Sequence, residues 1–185
     1  MGVMVDELLL LARLGEGRQP EREPVDLGRV VSDAVGDARA ADAGREISLE
    51  APDELVVTGD EHQLRQVVAN LLGNARKHTP PDCPVHVRLL GAAGEAVLEV
   101  GDEGPGLTPE VAAQVFEPFY RADKSRARQS GGAGLGLAIV AAIVEAHGGS
   151  VSLRTQPGEG ATFSVHLPLA ADTADDGQTA PAPDA

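Results

Sequence analysis

NLLGNARKH at residues 70–78 is the stretch that decides the fold, and it lies within a longer helical pattern. Asp60 is a typical N-cap residue, and apolar residues recur after it at the spacing of one helix face, which predicts a helix over 61–78. The apolar face of this helix consists of Leu64, Val68, Leu71, Leu72 and Ala75. A second stripe, polar and roughly 130° away on the helical wheel, consists of Gln63, Gln66, Asn70, Asn74 and Lys77.

The polar stripe has the chemistry of a metal and phosphate site. Asn70 and Asn74 stand at positions i and i+4, so their side chains project together. An amide oxygen is a hard, neutral ligand, which suits a magnesium ion that keeps several waters and takes its charge balance from phosphates. Lys77 lies one turn further and can reach a phosphate oxygen. A solvated polar face is the simpler interpretation, but exposed helices favour Glu, Lys and Arg over Asn, so we favour the metal site.

DEGPG at residues 102–106 follows an apolar strand pattern and predicts a nucleobase-reading turn. Gly104 and Gly106 permit positive φ and close approach of the backbone. A carboxylate fixed at Asp102 can accept a hydrogen bond from the exocyclic amine of adenine, whereas guanine presents a carbonyl there. That difference is worth on the order of 1–3 kcal/mol. Taken alone, the segment is more typical of a surface turn.

GAGLGL at residues 132–137 precedes a clear helical pattern and predicts a cradle for phosphate. Free backbone amides at a helix N-terminus favour an anion. It is not a Walker loop, because no Gly-Lys-Ser/Thr follows, and it lacks the preceding strand and third glycine of a dinucleotide fingerprint. Residues 121–128 hold four of the 15 basic residues, which suits a lid carrying positive charge to a triphosphate, with a solvated basic loop as the alternative.

The remaining pattern completes one domain. Asp26 caps a second helix, and 136–147 forms a third. Strands and helices are mixed without the strict alternation of a doubly wound fold. The sequence therefore predicts an α/β two-layer sandwich in which one mixed sheet is covered on one face by three helices. The predicted strands span 47–50, 55–58, 85–90, 96–102, 150–155 and 161–167, and one capped turn is expected at Thr108.

Composition narrows the possible partners. The formal charge of −14 repels phosphate backbones, and the few aromatic residues argue against base stacking, so we expect no nucleic-acid partner. The single cysteine, Cys83, excludes an internal disulfide and fits a reducing, cytoplasmic setting. The scarcity of aromatics also predicts an aliphatic core. No apolar run reaches the length of a membrane span.

These segments together resemble the catalytic ATP-binding domain of sensor histidine kinases, which has the Bergerat fold. Residues 60–79 resemble the N box, 102–106 the first glycine box, 116–121 the F box and 132–137 the second glycine box. The resemblance implies ATP-dependent phosphorylation of a histidine, followed by relay to an aspartate on the receiver domain of a response regulator. It implies ATP and Mg²⁺ as ligands, and a homodimeric, membrane-anchored parent protein.

The resemblance also implies roles for individual residues. Asn74 would be the magnesium ligand, with Asn70 beside it, and Thr162 would support the adenine-reading carboxylate of Asp102. The ATP-binding residues would be Asn70, Asn74, Lys77, His78, Asp102, Gly104, Gly106, Leu107, Arg121, Lys124, Gly132, Gly134, Leu135, Gly136 and Thr162. Two positions depart from the family pattern: His78 stands where Tyr is frequent, and Ala133 where Thr or Ser is frequent.

One departure bears on catalysis. None of the five histidines, at positions 62, 78, 86, 147 and 166, lies in the family's phosphoacceptor motif, so we expect the substrate histidine outside this chain. Related ATPases carry a glutamate base where this chain has Asn70, which predicts slow ATP hydrolysis. The alternatives are an anti-sigma-type serine kinase and a nucleotide-binding module without catalysis.

The expected domain organisation has four parts. Residues 1–15 resemble the end of the dimerisation and phosphoacceptor helix, with a stripe of Met4, Leu8 and Leu11, and 16–24 form a linker. The catalytic domain spans 25–169. Residues 170–185 are expected to be a disordered acidic tail.

Overall fold

A computed structural model describes residues 2–15, 22–121 and 133–170 of the chain. Within these ranges the helices are α1 Gly2–Gly15, α2 Leu27–Ala41, α3 Glu61–His78, α4 Pro109–Ala112 and α5 Gly136–Ala146. The strands are β1 Glu23–Asp26, β2 Ile47–Glu50, β3 Val56–Gly59, β4 Val85–Ala92, β5 Glu95–Asp102, β6 Ser150–Thr155 and β7 Ala161–Pro168. No helix in the described ranges is long and apolar enough to cross a membrane.

The main sheet has five strands in the order β2-β4-β5-β7-β6. It is mixed, because β2 runs parallel to β4 while the other neighbours are antiparallel. Side chains alternate along β4, where Val85, Val87 and Leu89 are buried and His86 and Arg88 are exposed. The buried face is covered by α2, α3 and α5, which pack on one another. The predicted two-layer sandwich is confirmed, and so is the aliphatic core, whose one fully buried aromatic among the described residues is Phe163.

A second, two-stranded sheet pairs β1 with β3 in antiparallel register. The sequence predicts a strand near β3 but no partner for it. β1 begins at Glu23 and therefore includes the last two residues of the predicted linker. Pro24 is tolerated because a two-stranded sheet consists of edges, where a missing N–H costs little. Val25 anchors the strand, with 5% of its surface exposed.

Two helix caps form as predicted and a third does not. The Asp26 carboxylate accepts from Arg29 N at 3.3 Å, and that of Asp60 accepts from Gln63 N at 3.0 Å. Thr108 precedes α4, but its side chain makes no capping hydrogen bond. This short helix is closed instead by its backbone, with Ala112 N donating to Thr108 O at 2.9 Å, and by Pro109 at its start.

Helix α1 packs against α5. Leu8 of the predicted apolar stripe is 39% exposed. Leu10, Leu11 and Leu14 contact the core instead. Periodicity alone did not identify the docked face, because Val5, Leu8 and Leu9 form an equally apolar face that stays exposed. The predicted disordered tail at 170–185 begins one residue too early, because Ala170 N donates to Val56 O at 3.0 Å, and its remaining residues lie outside the described ranges.

Candidate nucleotide site

Helix α3 divides its surface as the wheel predicts. Leu64, Val68, Leu71, Leu72 and Ala75 are buried against the sheet and the other helices. Asn70 and Asn74 are half-buried on the neighbouring stripe. Asn70 Nδ2 donates to Gly136 O at 3.2 Å, which ties α3 directly to the first turn of α5. The Asn74 side chain makes no hydrogen bond to any other residue in the part of the chain that the structure describes.

Asp102 is the last residue of β5, between Val85 of β4 and Ala161 of β7. Its carboxylate accepts from Gly104 N at 2.9 Å. Partial burial raises the pKa of Asp102 above its ordinary value, while the amides of Gly104 and Ala161 and the positive charge of Arg45 oppose the rise. The carboxylate is therefore held at the end of the central strand, where a turn begins.

The turn at 102–106 is clamped by the hairpin between β6 and β7. Gly106 has φ of +62°, and a methyl group there would collide with the carbonyl oxygen of Gln156. Gly160 has φ of +74°, and a methyl group there would collide with the carbonyl oxygen of Asp102. Gly158 N also donates to Pro105 O at 2.7 Å. Two glycine positions thus allow two backbones to meet with no side chain between them.

Thr155 completes this clamp through its hydroxyl. The hydroxyl accepts from Leu107 N at 2.9 Å and donates to Gly160 O at 2.7 Å. It therefore links the first residue after the turn to the hairpin. Thr155 and Gly160 were not predicted from the sequence. Their local pattern, a strand followed by a Pro-Gly turn, indicates a hairpin but not what the hairpin contacts.

The second glycine segment is described from residue 133 onward. Gly134 has φ of +74°, and its carbonyl accepts from Phe119 N at 3.0 Å. A methyl group at Gly134 would lie 2.9 Å from Tyr120 O, so only glycine fits. Leu135 is buried, and α5 begins at Gly136. Its amino end is therefore held between the F-box segment and α3.

An open cleft of about 760 Å³ lies beside Asp102 and joins two of the predicted segments. Its lining residues are Lys77, His78, Thr79, Pro80, Asp82, Cys83, Pro84, Glu103, Gly104 and Pro105. The pKa of His78 is lowered by partial burial and by the charges of Lys77 and Arg121, which places Arg121 near the same end of α3. The structure thus brings Lys77, His78 and Gly104 to one cavity.

Thr162 lies on β7 opposite Gly101, and no hydrogen bond among the described residues joins it to Asp102. Its supporting role stays a prediction. Lys124 and Gly132 lie outside the described residues.

Two buried polar side chains behind the site were also missed by the sequence argument. Arg45, between α2 and β2, donates to Thr79 and Cys83 at the end of α3. His147, at the end of α5, accepts from the backbone N–H of Asp60. An isolated Arg or His carries no pattern in sequence that predicts burial.

The family model described as histidine kinase-, DNA gyrase B-, and HSP90-like ATPase matches residues 59–171. The chain belongs to this family. The match contains α3, the 102–106 turn, α5 and the β6–β7 hairpin, which are the elements that build the site.

The relatives of this histidine kinase-like ATPase domain include sensor histidine kinases. A probable sensor histidine kinase, TcrY of Mycobacterium tuberculosis, is 48% identical over 167 residues, which are 90% of this chain and 35% of that protein. The sensor histidine kinase TrcS of the same organism is 46% identical over 91% of this chain and 34% of its own length. The chain therefore spans about a third of the length of these curated relatives.

A solved structure of a full-length protein shows the same fold. ShkA, crystallised in complex with AMPPNP, has a TM-score of 0.78 and 33% identity, over 92% of this chain and 36% of that chain. The shared fold extends across nearly the whole of the present chain.

Proposed function

We propose that this chain is the ATP-binding catalytic part of a two-component sensor histidine kinase. It transfers the γ-phosphoryl group of Mg-ATP to a histidine outside the chain, for relay to an aspartate of a response regulator. The observation that carries the proposal is the hydrogen bond of Asn70 to Gly136 O at 3.2 Å. It sets the polar stripe of α3 against the glycine segment, so that predicted metal and phosphate ligands lie next to each other.

The adenine end lies at Asp102 and the cleft beside it. The Asp102 carboxylate accepts from the adenine amine, and His78 and Gly104 line the adjoining cavity. The phosphate end lies at the start of α5, where Leu135 and Gly136 present backbone amides to an anion. Lys77 supplies a positive charge between the two ends.

Asn74 fits a magnesium ligand. Its amide is half-buried and makes no hydrogen bond to the described protein, so its oxygen is available to a cation that also binds phosphate. No cluster of three His, Cys, Asp or Glu side chains in the described ranges offers a competing metal site. When bound, the ion neutralises charge on the triphosphate.

The chain contributes positioning and charge to the transfer step. The bond between the γ-phosphorus and the β–γ bridging oxygen breaks, a bond to an imidazole nitrogen of the acceptor histidine forms, and ADP leaves. The amides at the start of α5, Lys77 and Arg121 hold the transferred group in line and offset its charge. The acceptor loses its proton to solvent. We also propose that the parent protein is a membrane-anchored homodimer, and that its partner is the receiver domain of a response regulator.

Asn70 makes hydrolysis of ATP by water unfavourable, because it stands where related ATPases have a glutamate base. An amide cannot take a proton near neutral pH, and this amide is already bonded to Gly136 O. We therefore expect slow release of phosphate and faster transfer to histidine. This distinguishes the proposal from a hydrolytic ATPase within the same family.

The test is phosphoryl transfer with radiolabelled ATP. The chain is mixed with a protein segment that carries the phosphoacceptor helix of a sensor histidine kinase, and label on that segment is expected to be acid-labile and alkali-stable. Asn74→Ala should abolish both transfer and magnesium-dependent AMPPNP binding, while Gln66→Ala, two turns earlier on the same stripe, should change neither. Acid-stable label would favour a serine kinase, and rapid phosphate release without transfer would refute the proposal.

A further inference from the structure

Arg45 places a buried positive charge behind the adenine end of the site. The residue is 7% exposed. In the described ranges, the buried polar or charged residues are Arg45 and His147. Its Nε donates to Asp42 Oδ2 at 3.1 Å, an ion pair in which the Arg45 side chain is 3% exposed. Because Asp42 is bound by Nε, Nη1 and Nη2 can donate hydrogen bonds to other groups.

The remaining donors of Arg45 bind the segment that follows α3, at residues 79–83. Nη1 donates to Thr79 Oγ1 at 2.6 Å and to Cys83 O at 3.1 Å, and Nη2 donates to Thr79 O at 3.4 Å. Thr79 and Cys83 both line the cleft beside Asp102. The guanidinium therefore supports the wall of this cleft from inside the protein.

Thr79 passes this support on to the nucleobase-reading turn. Its hydroxyl accepts from Arg45 and donates to Ala75 O at 2.7 Å, which fixes the side-chain rotamer. Its methyl group then faces Gly104, where an added Cβ would lie only 2.6 Å from Thr79 Cγ2. Gly104 N in turn holds Asp102 Oδ1 at 2.9 Å. A continuous chain of contacts leads from Arg45 to the carboxylate.

We propose that Arg45 is a positioning residue for base recognition, which acts through Thr79 and Gly104 to hold the Asp102 carboxylate and so sets the preference for adenine over guanine. This inference rests on the proposed function, in which Asp102 accepts from adenine. Arg45 is buried and does not line the cleft, so its effect on the nucleotide is indirect. Its effect depends on how tightly the Thr79 side chain confines the turn.

The charge of Arg45 acts in the same direction as the contacts. Burial favours the protonated form of Asp102, which would donate rather than accept at one oxygen. Arg45 and His78 are the basic groups that oppose this, together with the amides of Gly104 and Ala161. Removal of Arg45 is therefore expected to have two effects. It loosens the turn, and it makes the ionised form of Asp102, which accepts hydrogen bonds, less favourable.

The test compares adenine and guanine nucleotides on the whole 185-residue chain. Calorimetry gives the affinities for Mg-AMPPNP and Mg-GMPPNP, and circular dichroism confirms folding. The variants are Arg45→Met, Thr79→Val and Asp102→Asn. Arg65→Met is the matched control, because it removes a surface arginine of α3 that pairs with Asp33 and Glu61 away from the cleft.

Arg45→Met and Thr79→Val are each expected to weaken AMPPNP binding about tenfold, which corresponds to about 1.4 kcal/mol, while GMPPNP binding changes little. Arg65→Met should bind as the parent chain does. Thr79→Ser keeps the hydroxyl but removes the methyl group that faces Gly104, so it should also lower the adenine preference. In the Asp102→Asn background, Arg45→Met should have no further effect on that preference, an outcome that a general loss of stability does not produce.

Two failures are distinguishable. If Asp102→Asn keeps the adenine preference, the role of Asp102 in the proposed function is wrong. If Asp102→Asn loses the preference but Arg45→Met and Thr79→Val keep it, the inference about Arg45 alone is overturned. Should Arg45→Met not fold, Thr79→Val decides, because it removes the hydroxyl without changing the shape of the side chain.

Discussion

The buried imidazole of His147 accepts a hydrogen bond from the backbone N–H of Asp60 at 3.1 Å. Its other nitrogen, Nδ1, donates to Ile143 O at 2.7 Å. The ring is therefore a neutral tautomer that joins the end of α5 to the start of α3, the two helices that carry the proposed nucleotide site. Burial lowers the pKa of His147.

This geometry predicts that acid weakens the fold. Protonation at Nε2 would set an N–H against the N–H of Asp60. In the folded chain the pKa of His147 lies below its unfolded value of about 6.5. Neutral His147 therefore makes its full contribution to folding stability above that pH. This contribution is lost as pH falls through the unfolded pKa toward the folded one. Urea unfolding at pH 7.5 and 5.5 should show this decline.

His147→Gln removes the titrating group and should flatten that part of the pH dependence, at the cost of lower stability throughout. His62→Gln, an exposed histidine in the first turn of α3, serves as the control and should keep the decline. An unchanged slope in His147→Gln would show that other groups cause it.

Gly106→Ala is expected to be far more damaging than Gly94→Ala. Both glycines have positive φ, so alanine is strained by roughly 1–2 kcal/mol at either position. Gly94 has open space around it, whereas a methyl group at Gly106 meets the carbonyl oxygen of Gln156. Chemical denaturation should show the difference, and AMPPNP titration should show lost binding only for Gly106→Ala. Equal effects would contradict the clamp.

Thr155→Val tests the hydroxyl that joins the turn to the hairpin. Its loss leaves Leu107 N and Gly160 O without their partner, which should cost about 1–3 kcal/mol of folding stability. Nucleotide affinity should fall as well, because the turn that carries Asp102 loses one anchor. Thr155→Ser keeps the hydroxyl and should behave nearly as the parent chain. A loss equal to that of Thr155→Val would assign the effect to the methyl group.

Asn70→Asp tests the tie between the polar stripe and the glycine segment. The change keeps the size of the side chain but sets a carboxylate against Gly136 O in place of a donor. Affinity for Mg-AMPPNP should fall by about tenfold, in line with a lost hydrogen bond of about 1–2 kcal/mol. Gln66→Glu introduces the same charge change on that stripe and should have a smaller effect. Calorimetry measures both.

Local features of the fold were predictable from sequence. The caps at Asp26 and Asp60 depend on residues three positions apart, and the buried face of α3 follows from its own periodicity. The two asparagines and Asp102 could be singled out because each lies in a short segment with a recognisable pattern.

Features that depend on distant contacts were not predictable. Arg45 reaches Thr79 across 34 positions, and Leu107 reaches Thr155 across 48. No local pattern encodes either pair. The face of α1 that packs on α5 could not be predicted for the same reason, since α1 carries two apolar faces and the contact with α5 distinguishes them.

The long sequence separations within the site have a consequence for synthesis of the chain. Asp60 meets His147 across 87 positions, and Asn70 meets Gly136 across 66. Such contacts close large loops, which slows folding. A nascent chain that has emerged only as far as β5 holds Asp102 and both asparagines but none of the amides at the start of α5. We therefore expect nucleotide to bind and stabilise the complete domain, and not to stabilise the partly synthesised chain.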